Sequence, residues 1–107
     1  MYTLKELLGK TTELGASDLH LTVGIPPTVR LNGKLIPLGE VSLTQDCIEG
    51  YAKEILGSNF DTYTEVGEAD TSYSLPGTGR FRVNVFKQRN SDAIALRAIS
   101  LKIPTLE

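Results

Sequence analysis

The sequence is poor in the residue types that build covalent or metal-held frameworks. Cys47 is the only cysteine among 107 residues, so no disulfide can form within the chain. His20 is the only histidine, and one cysteine with one histidine is too few for an ordinary structural zinc site. We therefore expect a fold that depends on neither a disulfide nor a metal.

Long hydrophobic runs are also missing. No stretch approaches the roughly 20 consecutive apolar residues that a membrane-spanning helix needs, and residues 1–6 lack the basic start and apolar block of a secretory signal. The composition, 40% hydrophobic and 22% charged, is that of an ordinary globular chain. At this length the sequence predicts one cytoplasmic domain that does not span a membrane.

Net charge is small, but its distribution along the chain is uneven. A formal charge of -2 argues against a general nucleic-acid binder. Residues 40–70 contain eight acids against Lys53 alone, whereas residues 80–97 contain five basic residues against Asp92 alone. This bipolarity is compatible with head-to-tail docking of copies of the chain, acidic side against basic side.

Local signals predict two substantial helices. Thr3 and Glu6 have the spacing of a capping box, which predicts a helix over residues 3–14. Ser42 and Gln45 form a second candidate capping box, followed by a broad apolar helical face that continues to residue 56. A short third helix is expected to end at residue 63.

Alternating apolar and polar residues predict the strands. Asn32-Gly33 is a strong hairpin signal because both residues tolerate positive φ. The predicted strands cover residues 17–23, 28–31, 34–36, 71–75, 80–88 and 92–99. Because helices and strands do not alternate regularly, we expect an α+β fold with a mainly antiparallel sheet and the helices grouped on one side.

Three groups of motifs together resemble the N-terminal domain of PilT-type pilus retraction ATPases. Each is weak alone, but they occur in the right order over nearly the whole chain. They are residues 16–21 (ASDLHL) with 26–27 (PP) and 30–33 (RLNG), residues 72–77 (SYSLPG) with 79–86 (GRFRVNVF), and residues 103–107 (IPTLE).

The resemblance implies a PAS-like domain over residues 1–100, with residues 101–107 beginning the linker to a RecA-like ATPase domain. Such proteins form homohexameric rings in the cytoplasm, peripheral to the inner membrane at the pilus base, where they meet an inner-membrane platform protein. The nucleotide-binding motifs of the family lie downstream of Glu107. ATP and magnesium are thus expected in the longer parent protein, and this chain is expected to hold no cofactor and no catalytic residue.

Three arginines, Arg80, Arg82 and Arg89, are the candidate functional residues. A planar guanidinium can hold two phosphate oxygens at once, and in the family basic residues of this domain approach nucleotide at the junction with a neighbouring subunit. We expect at least one of the three to face nucleotide or the subunit interface. The alternative is that they are ordinary exposed charges on the solvated side of the sheet.

Other patterns favour structural interpretations. Gly9-Lys10-Thr11 ends like a phosphate-binding loop, but the required glycine five positions before Gly9 is replaced by leucine. Asp18 and His20 share a strand face without an accompanying nucleophile, so a structural role is favoured over acid-base chemistry. Faint similarity to an RNA-recognition strand is outweighed by the wrong glycine spacing.

Two rival functions remain open. A free-standing PAS-like sensor would need an apolar cavity of ligand size with a few converging polar groups, whereas a motor domain needs a filled core and an exposed docking surface. The same domain in a pilus extension or type II secretion ATPase would keep the domain's physics and change only the direction of movement.

Overall fold

The computed structural model describes residues 2–77, 79–88 and 91–99, so the linker predicted over residues 101–107 lies outside it. The helices are α1 (Leu4–Leu14), α2 (Gln45–Leu56) and α3 (Phe60–Val66), with a 3-10 turn at Gly57–Asn59. The strands are β1 (Asp18–Thr22), β2 (Thr28–Leu31), β3 (Lys34–Pro37), β4 (Glu68–Leu75), β5 (Gly79–Gln88) and β6 (Ser91–Ile99). Within the described part, no helix combines the length and apolarity needed to cross a membrane.

The first helix begins as the sequence predicts. The Thr3 side chain accepts a hydrogen bond from the Glu6 backbone N–H at 3.1 Å, and the Glu6 carboxylate accepts one from the Thr3 backbone N–H at 2.8 Å. Two of the unpaired donors at the helix start are thereby satisfied, which confirms the capping box. Gly15, at φ 75°, ends the helix in the left-handed conformation.

The second helix does not begin at the predicted capping box. Its N-cap is Thr44, whose hydroxyl accepts a hydrogen bond from the Cys47 backbone N–H at 3.2 Å. Leu43 is buried and its backbone N–H donates to the Ile25 carbonyl at 2.9 Å, which holds the chain extended up to this point. The prediction that Ser42 caps the helix is wrong because tertiary pairing of Leu43 delays the helix start.

The six strands form one sheet in the order β3-β2-β1-β6-β5-β4, and every neighbouring pair is antiparallel. The turn between β2 and β3 has Asn32 at φ 54° and Gly33 at φ 80°. Two successive positive φ values match the right-handed twist of the flanking strands. The predicted hairpin and the α+β class with an antiparallel sheet are both confirmed.

One face of the sheet, the covered face, packs against the helices. Its most deeply buried apolar side chains are at most 1% exposed: Leu19, Leu21, Val29, Phe81, Val83, Val85, Ile94 and Leu96. They form a single cluster with residues of the three helices, including Leu7, Leu8, Ile48, Ala52 and Tyr63. The opposite face, the open face, carries Asp18, His20, Arg30, Asp70, Arg80, Arg82, Asn84 and Arg97. Strand alternation assigns each side chain to its face.

A buried carboxylate fastens the helices to the sheet. Asp92 is 3% exposed and accepts hydrogen bonds from the Tyr63 hydroxyl and, at 2.5 Å, from the Gln45 side-chain amide. Lys87 Nζ lies 3.1 Å from the same carboxylate. Burial acts to raise the pKa of Asp92, but these hydrogen bonds and the Lys87 charge outweigh it and lower the pKa. One side chain thus joins α2, α3, β5 and β6.

Candidate interaction surface on the open sheet face

The candidate arginines Arg80 and Arg82 both lie on the open face of β5 and are exposed. Strand alternation predicts this shared side, since the two residues are separated by the buried Phe81. Arg89 lies outside the described residues. Whether any of the three faces nucleotide or a subunit interface stays a prediction.

Asp18 is the most enclosed charge on this face. Its side chain is 14% exposed and accepts a hydrogen bond from Arg97 Nε at 3.2 Å and one from the Ser17 hydroxyl at 2.8 Å. Arg30 Nε lies 3.8 Å away on the other side. Burial acts to raise the pKa of Asp18, but the hydrogen bonds and the positive charge of Arg97 outweigh it, so the pKa lies below its usual value.

The neighbouring strands β5 and β6 place like charges side by side on the open face. Arg82 on β5 is the direct register partner of Arg97 on β6. Arg97 is drawn towards Asp18, whereas Arg82 is drawn the other way, with Nη2 at 3.6 Å from an Asp70 oxygen on the edge strand β4. Like charges directly opposite each other on neighbouring strands are unfavourable. The flanking carboxylates partly compensate for this.

A shallow depression of about 340 Å³ lies between these charges. Its lining residues are Asp18, His20, Asp70, Arg82, Asn84, Ala95, Leu96 and Arg97. Asn84 is held in place because its side-chain amide donates to the Ala69 carbonyl at 3.3 Å. His20 and Asp18 do share this face, as the sequence predicts, but the Asp18 carboxylate is held by the side chains of Ser17 and Arg97. This arrangement fits the structural role expected for it.

Lys10 and Cys47 both make contacts within the fold. Lys10 lies on α1 with its Nζ 5.2 Å from the centre of the Tyr2 ring, a cation-π contact. This supports the interpretation of Gly9-Lys10-Thr11 as part of a capped helix. Cys47 is half-buried in the first turn of α2 and packs against the edge of the core.

Sequence reasoning missed the contribution of Arg97, Asp70 and Arg30 to this surface. Arg97 was counted only in the charge of its segment, and Asp70 lies in a stretch that was not predicted as strand. A signal did exist, because Arg97 has the opposite parity to Ile94 and Leu96 and therefore belongs on the open face. The pairing of Arg97 with Asp18 depends on β1 lying beside β6, which the sequence does not state.

Comparison with known proteins places this fold among pilus ATPases. Over 107 residues the chain is 37% identical to the type IV pilus ATPase PilU of Pseudomonas aeruginosa, a match covering 96% of this chain and 27% of PilU. Over 105 residues it is 33% identical to the type IV pilus retraction ATPase PilT of the same organism, covering 97% of this chain and 30% of PilT. No family model matches the chain.

Solved structures give the same relationship as the sequence comparisons. A crystal structure of the pilus retraction motor PilT with bound ADP superposes with a TM-score of 0.89 and 37% identity, covering 97% of this chain and 31% of that one. This chain is homologous to the N-terminal region of the PilT/PilU-like type IV pilus ATPases. The ATPase DotB of Legionella pneumophila is a further relative in structure, with a TM-score of 0.78 and 25% identity over 91% of this chain and 28% of that one.

The match locates the chain within the PilT/PilU-like proteins. It spans about 30% of the length of the relatives it matches, and it is homologous to their N-terminal region. The family resemblance predicted from the motifs at residues 16–21 and 79–86 is therefore confirmed. The open face just described is a surface of the part of this chain that is homologous to that region.

Proposed function

We propose that this chain is the N-terminal assembly and regulatory domain of a hexameric ATPase motor that powers type IV pilus retraction, the movement behind twitching motility. The observation that carries the proposal is the TM-score of 0.89 over 97% of this chain to a pilus retraction motor. The 33% identity to a pilus retraction ATPase favours retraction over extension or type II secretion. The domain acts in the cytoplasm at the pilus base, beside the inner-membrane platform protein.

Within the motor the domain packs on the RecA-like ATPase domain of a neighbouring subunit and passes on nucleotide-driven motion as a rigid body. ATP and magnesium belong to the parent protein and this domain performs no catalysis. Rigidity is supported by the single buried cluster that joins all three helices to the sheet. The exposed, charged open face supports a docking role, because such surfaces guide the choice and orientation of a partner.

The rival interpretation as a ligand sensor finds less support in the core. Among the described residues, no buried side-chain nitrogen or oxygen lacks a hydrogen-bond partner. A sensor pocket is expected to present a few such groups to its ligand. Within that described part, the one deeply buried carboxylate, Asp92, is already satisfied by Tyr63, Gln45 and Lys87.

The test uses the parent protein, extended by roughly 250 residues to include one further ATPase domain. We expect a hexamer that hydrolyses ATP, and we expect replacement of Arg80, Arg82 and Arg89 by glutamine to reduce turnover or assembly. A control replaces Lys5, Lys34 and Lys53 by glutamine, which removes the same charge from exposed positions away from the open face of β5.

Two outcomes would contradict the proposal. A parent protein without nucleotide hydrolysis would remove the motor function and make the ligand sensor the leading account. A parent that hydrolyses ATP and assembles equally well after all three arginine replacements would keep the motor function and remove the role assigned to the arginines. If removal of the parent protein from cells abolishes pilus retraction and leaves extension intact, the parent is a retraction motor. If extension is lost, it is an extension motor.

A further inference from the structure

The edge strand β3 carries exposed apolar side chains. β3 lies at one end of the strand order, and all four of its residues are exposed. Leu35 is 58% exposed, and Ile36 beside it and Ile25 and Val41 in the segments before and after the hairpin are exposed as well. The exposed positions of β4, the opposite edge, hold only carboxylate and hydroxyl side chains. Of the two edges, β3 therefore gains more from being covered, because apolar surface is unfavourable in water.

The register of the β2–β3 hairpin directs the backbone of Leu35 out of the sheet. In a hairpin with a two-residue turn, the flanking residues Leu31 and Lys34 form a hydrogen-bonded pair, and bonded and non-bonded pairs alternate from there. The Leu38 N–H donates to the Pro27 carbonyl at 2.7 Å, which fits this alternation. The N–H and C=O of Leu35 thus point away from β2, towards the open side of the edge.

A groove of about 390 Å³ lies next to this hairpin, between the start of α1 and the segment that follows β3. Its lining includes the apolar surfaces of Tyr2 and Leu38 and the carboxylates of Glu6 and Glu40. The Tyr51 hydroxyl donates to the Tyr2 carbonyl at 2.5 Å, which holds one wall in place. Glu6 is used in the capping box, whereas Glu40 makes no ion pair within the described residues. The groove is apolar and acidic.

We propose that two copies of this chain pair through their β3 edges, antiparallel and across a two-fold axis at Leu35. The Leu35 N–H of each copy then donates to the Leu35 carbonyl of the other, and the two Leu35 side chains cover each other. Lys34 of one copy lies opposite Ile36 of the other, beside the groove that contains Glu40. A two-fold arrangement makes each of these contacts twice. The inference goes beyond the proposed function, which does not require it.

The charges favour this orientation. Lys34 and Ile36 are two positions apart on β3, so their side chains lie on the same side of the sheet. Lys34 of one copy is therefore directed to the side on which Ile36 and the acidic groove of the other lie, and such complementarity selects one orientation. A parallel pairing would instead bring Lys34 beside Lys34, which is unfavourable. Pro37 has no N–H to donate, so the ladder is short and the dimer is weak.

The first test is sedimentation of the 107-residue chain, from micromolar concentrations to about 1 mM. We expect a monomer–dimer equilibrium that Leu35→Asp weakens by about tenfold or more, because the change puts a charge at the centre of the contact. Val66→Asp is the matched control, since it makes a similar change at a residue 69% exposed at the end of α3. It should change association by less than about twofold. A monomer at every concentration, or equal effects of the two variants, overturns the inference.

A charge exchange tests the orientation of the copies. Lys34→Glu alone and Glu40→Lys alone each place like charges at the proposed contact and should weaken association. The double variant restores an opposite pair and should associate within about twofold of the wild type. Thermal unfolding of every variant verifies the fold. A double variant that associates no better than the weaker single variant shows that Lys34 does not meet Glu40, which overturns the arrangement.

Hydrogen exchange of single amides tests the wild type without any substitution. The Leu35 N–H should be protected in concentrated solution and unprotected in dilute solution. Ser72 is the internal control on β4. The Lys87 N–H donates to the Gly67 carbonyl at 3.1 Å, and alternation from that pair directs the Ser72 N–H out of the sheet. Protection of Ser72 in place of Leu35 would mean pairing through β4 and would overturn the inference. ATP hydrolysis by the parent protein is unaffected by any of these outcomes, so the proposed function is tested separately.

Discussion

The two faces of this sheet provide opposite environments for a carboxylate. On the covered face, Asp92 is 3% exposed and is surrounded by hydrogen-bond donors from α2, α3 and β5. On the open face, Asp18 is paired with Arg97 and Arg30, whose side chains remain 75% and 47% exposed. The first arrangement is closed within the fold, whereas the second leaves positive charge available to a partner.

This difference separates residues that maintain the domain from residues that can interact through it. Buried polar groups cost free energy unless every partner is present, so changes on the covered face should unfold the domain. Exposed ion pairs contribute little to stability, so changes on the open face should leave the fold intact. Four substitutions test that separation.

The largest loss is expected from Phe81→Ala. Phe81 is 1% exposed in the centre of the covered face, and removal of a buried phenylalanine ring costs about 3–5 kcal/mol of unfolding free energy. Phe86→Ala is the matched control, because Phe86 lies on the same strand with the opposite parity and is half-buried. Urea denaturation followed by circular dichroism measures both. Equal losses would show that the two faces are equally important for stability.

Asp92→Asn should cost about 1–3 kcal/mol at pH 7, because Lys87 and Tyr63 lose their charged partner. The pKa of Asp92 is lowered in the fold from an unfolded value of 3.8, so the folded state binds this proton more weakly. The stabilisation is therefore fully present above that value and is lost as the pH falls through the folded-state pKa.

Stability measured from pH 7 down to pH 2 checks this. We expect the difference in unfolding free energy between the wild type and Asp92→Asn to shrink below about pH 4. Asp61→Asn, an exposed acid on α3, should give no comparable gap at any pH. A gap that stays constant at low pH would mean that Asp92 acts through its shape and hydrogen bonds, without a contribution from its charge.

Much of this architecture follows from local sequence signals. Alternation in residues 80–88 and the Asn32-Gly33 turn predict strands and a hairpin that the structure confirms. The predicted start of α2 is wrong because pairing of Leu43 with Ile25 is a long-range contact. Strand β4 begins at Glu68, three residues earlier than predicted, because Glu68 and Asp70 gain strand geometry only by pairing with β5.

The candidate site was less accessible to sequence reasoning. Parity places Arg80 and Arg82 on one side of β5, but the encounter of Arg82 with Arg97 depends on the register of β5 against β6. The role of Asp92 carried a signal that was overlooked. Asp92 has the same parity along β6 as the buried Ile94 and Leu96, which predicts that it is buried too. A buried carboxylate needs hydrogen-bond or charge partners.

A substitution in the turn of the β2–β3 hairpin, whose β3 residues are all exposed, should have an intermediate effect on stability. Gly33 has φ 80°, where a side chain is strained by about 1 kcal/mol, although space for the added methyl group is open. Gly50→Ala is the matched control, since Gly50 has equal space within helix α2. That change should stabilise the chain by up to about 1 kcal/mol. Thermal unfolding of both variants should show opposite signs, and a neutral Gly33→Ala would indicate that the turn relaxes freely.

The smallest effect is expected from Arg82→Gln on the open face. Arg82 and Asp70 are 69% and 55% exposed, and the unfolding free energy should change by less than about 0.5 kcal/mol. A double-mutant cycle with Asp70→Asn should give a coupling of the same size that falls further in high salt, because exposed charges are screened. A loss above about 1 kcal/mol would show that the charges of the open face stabilise the domain itself. A stability close to that of the wild type would show that the fold does not need the charge of Arg82, as the comparison of the two faces requires.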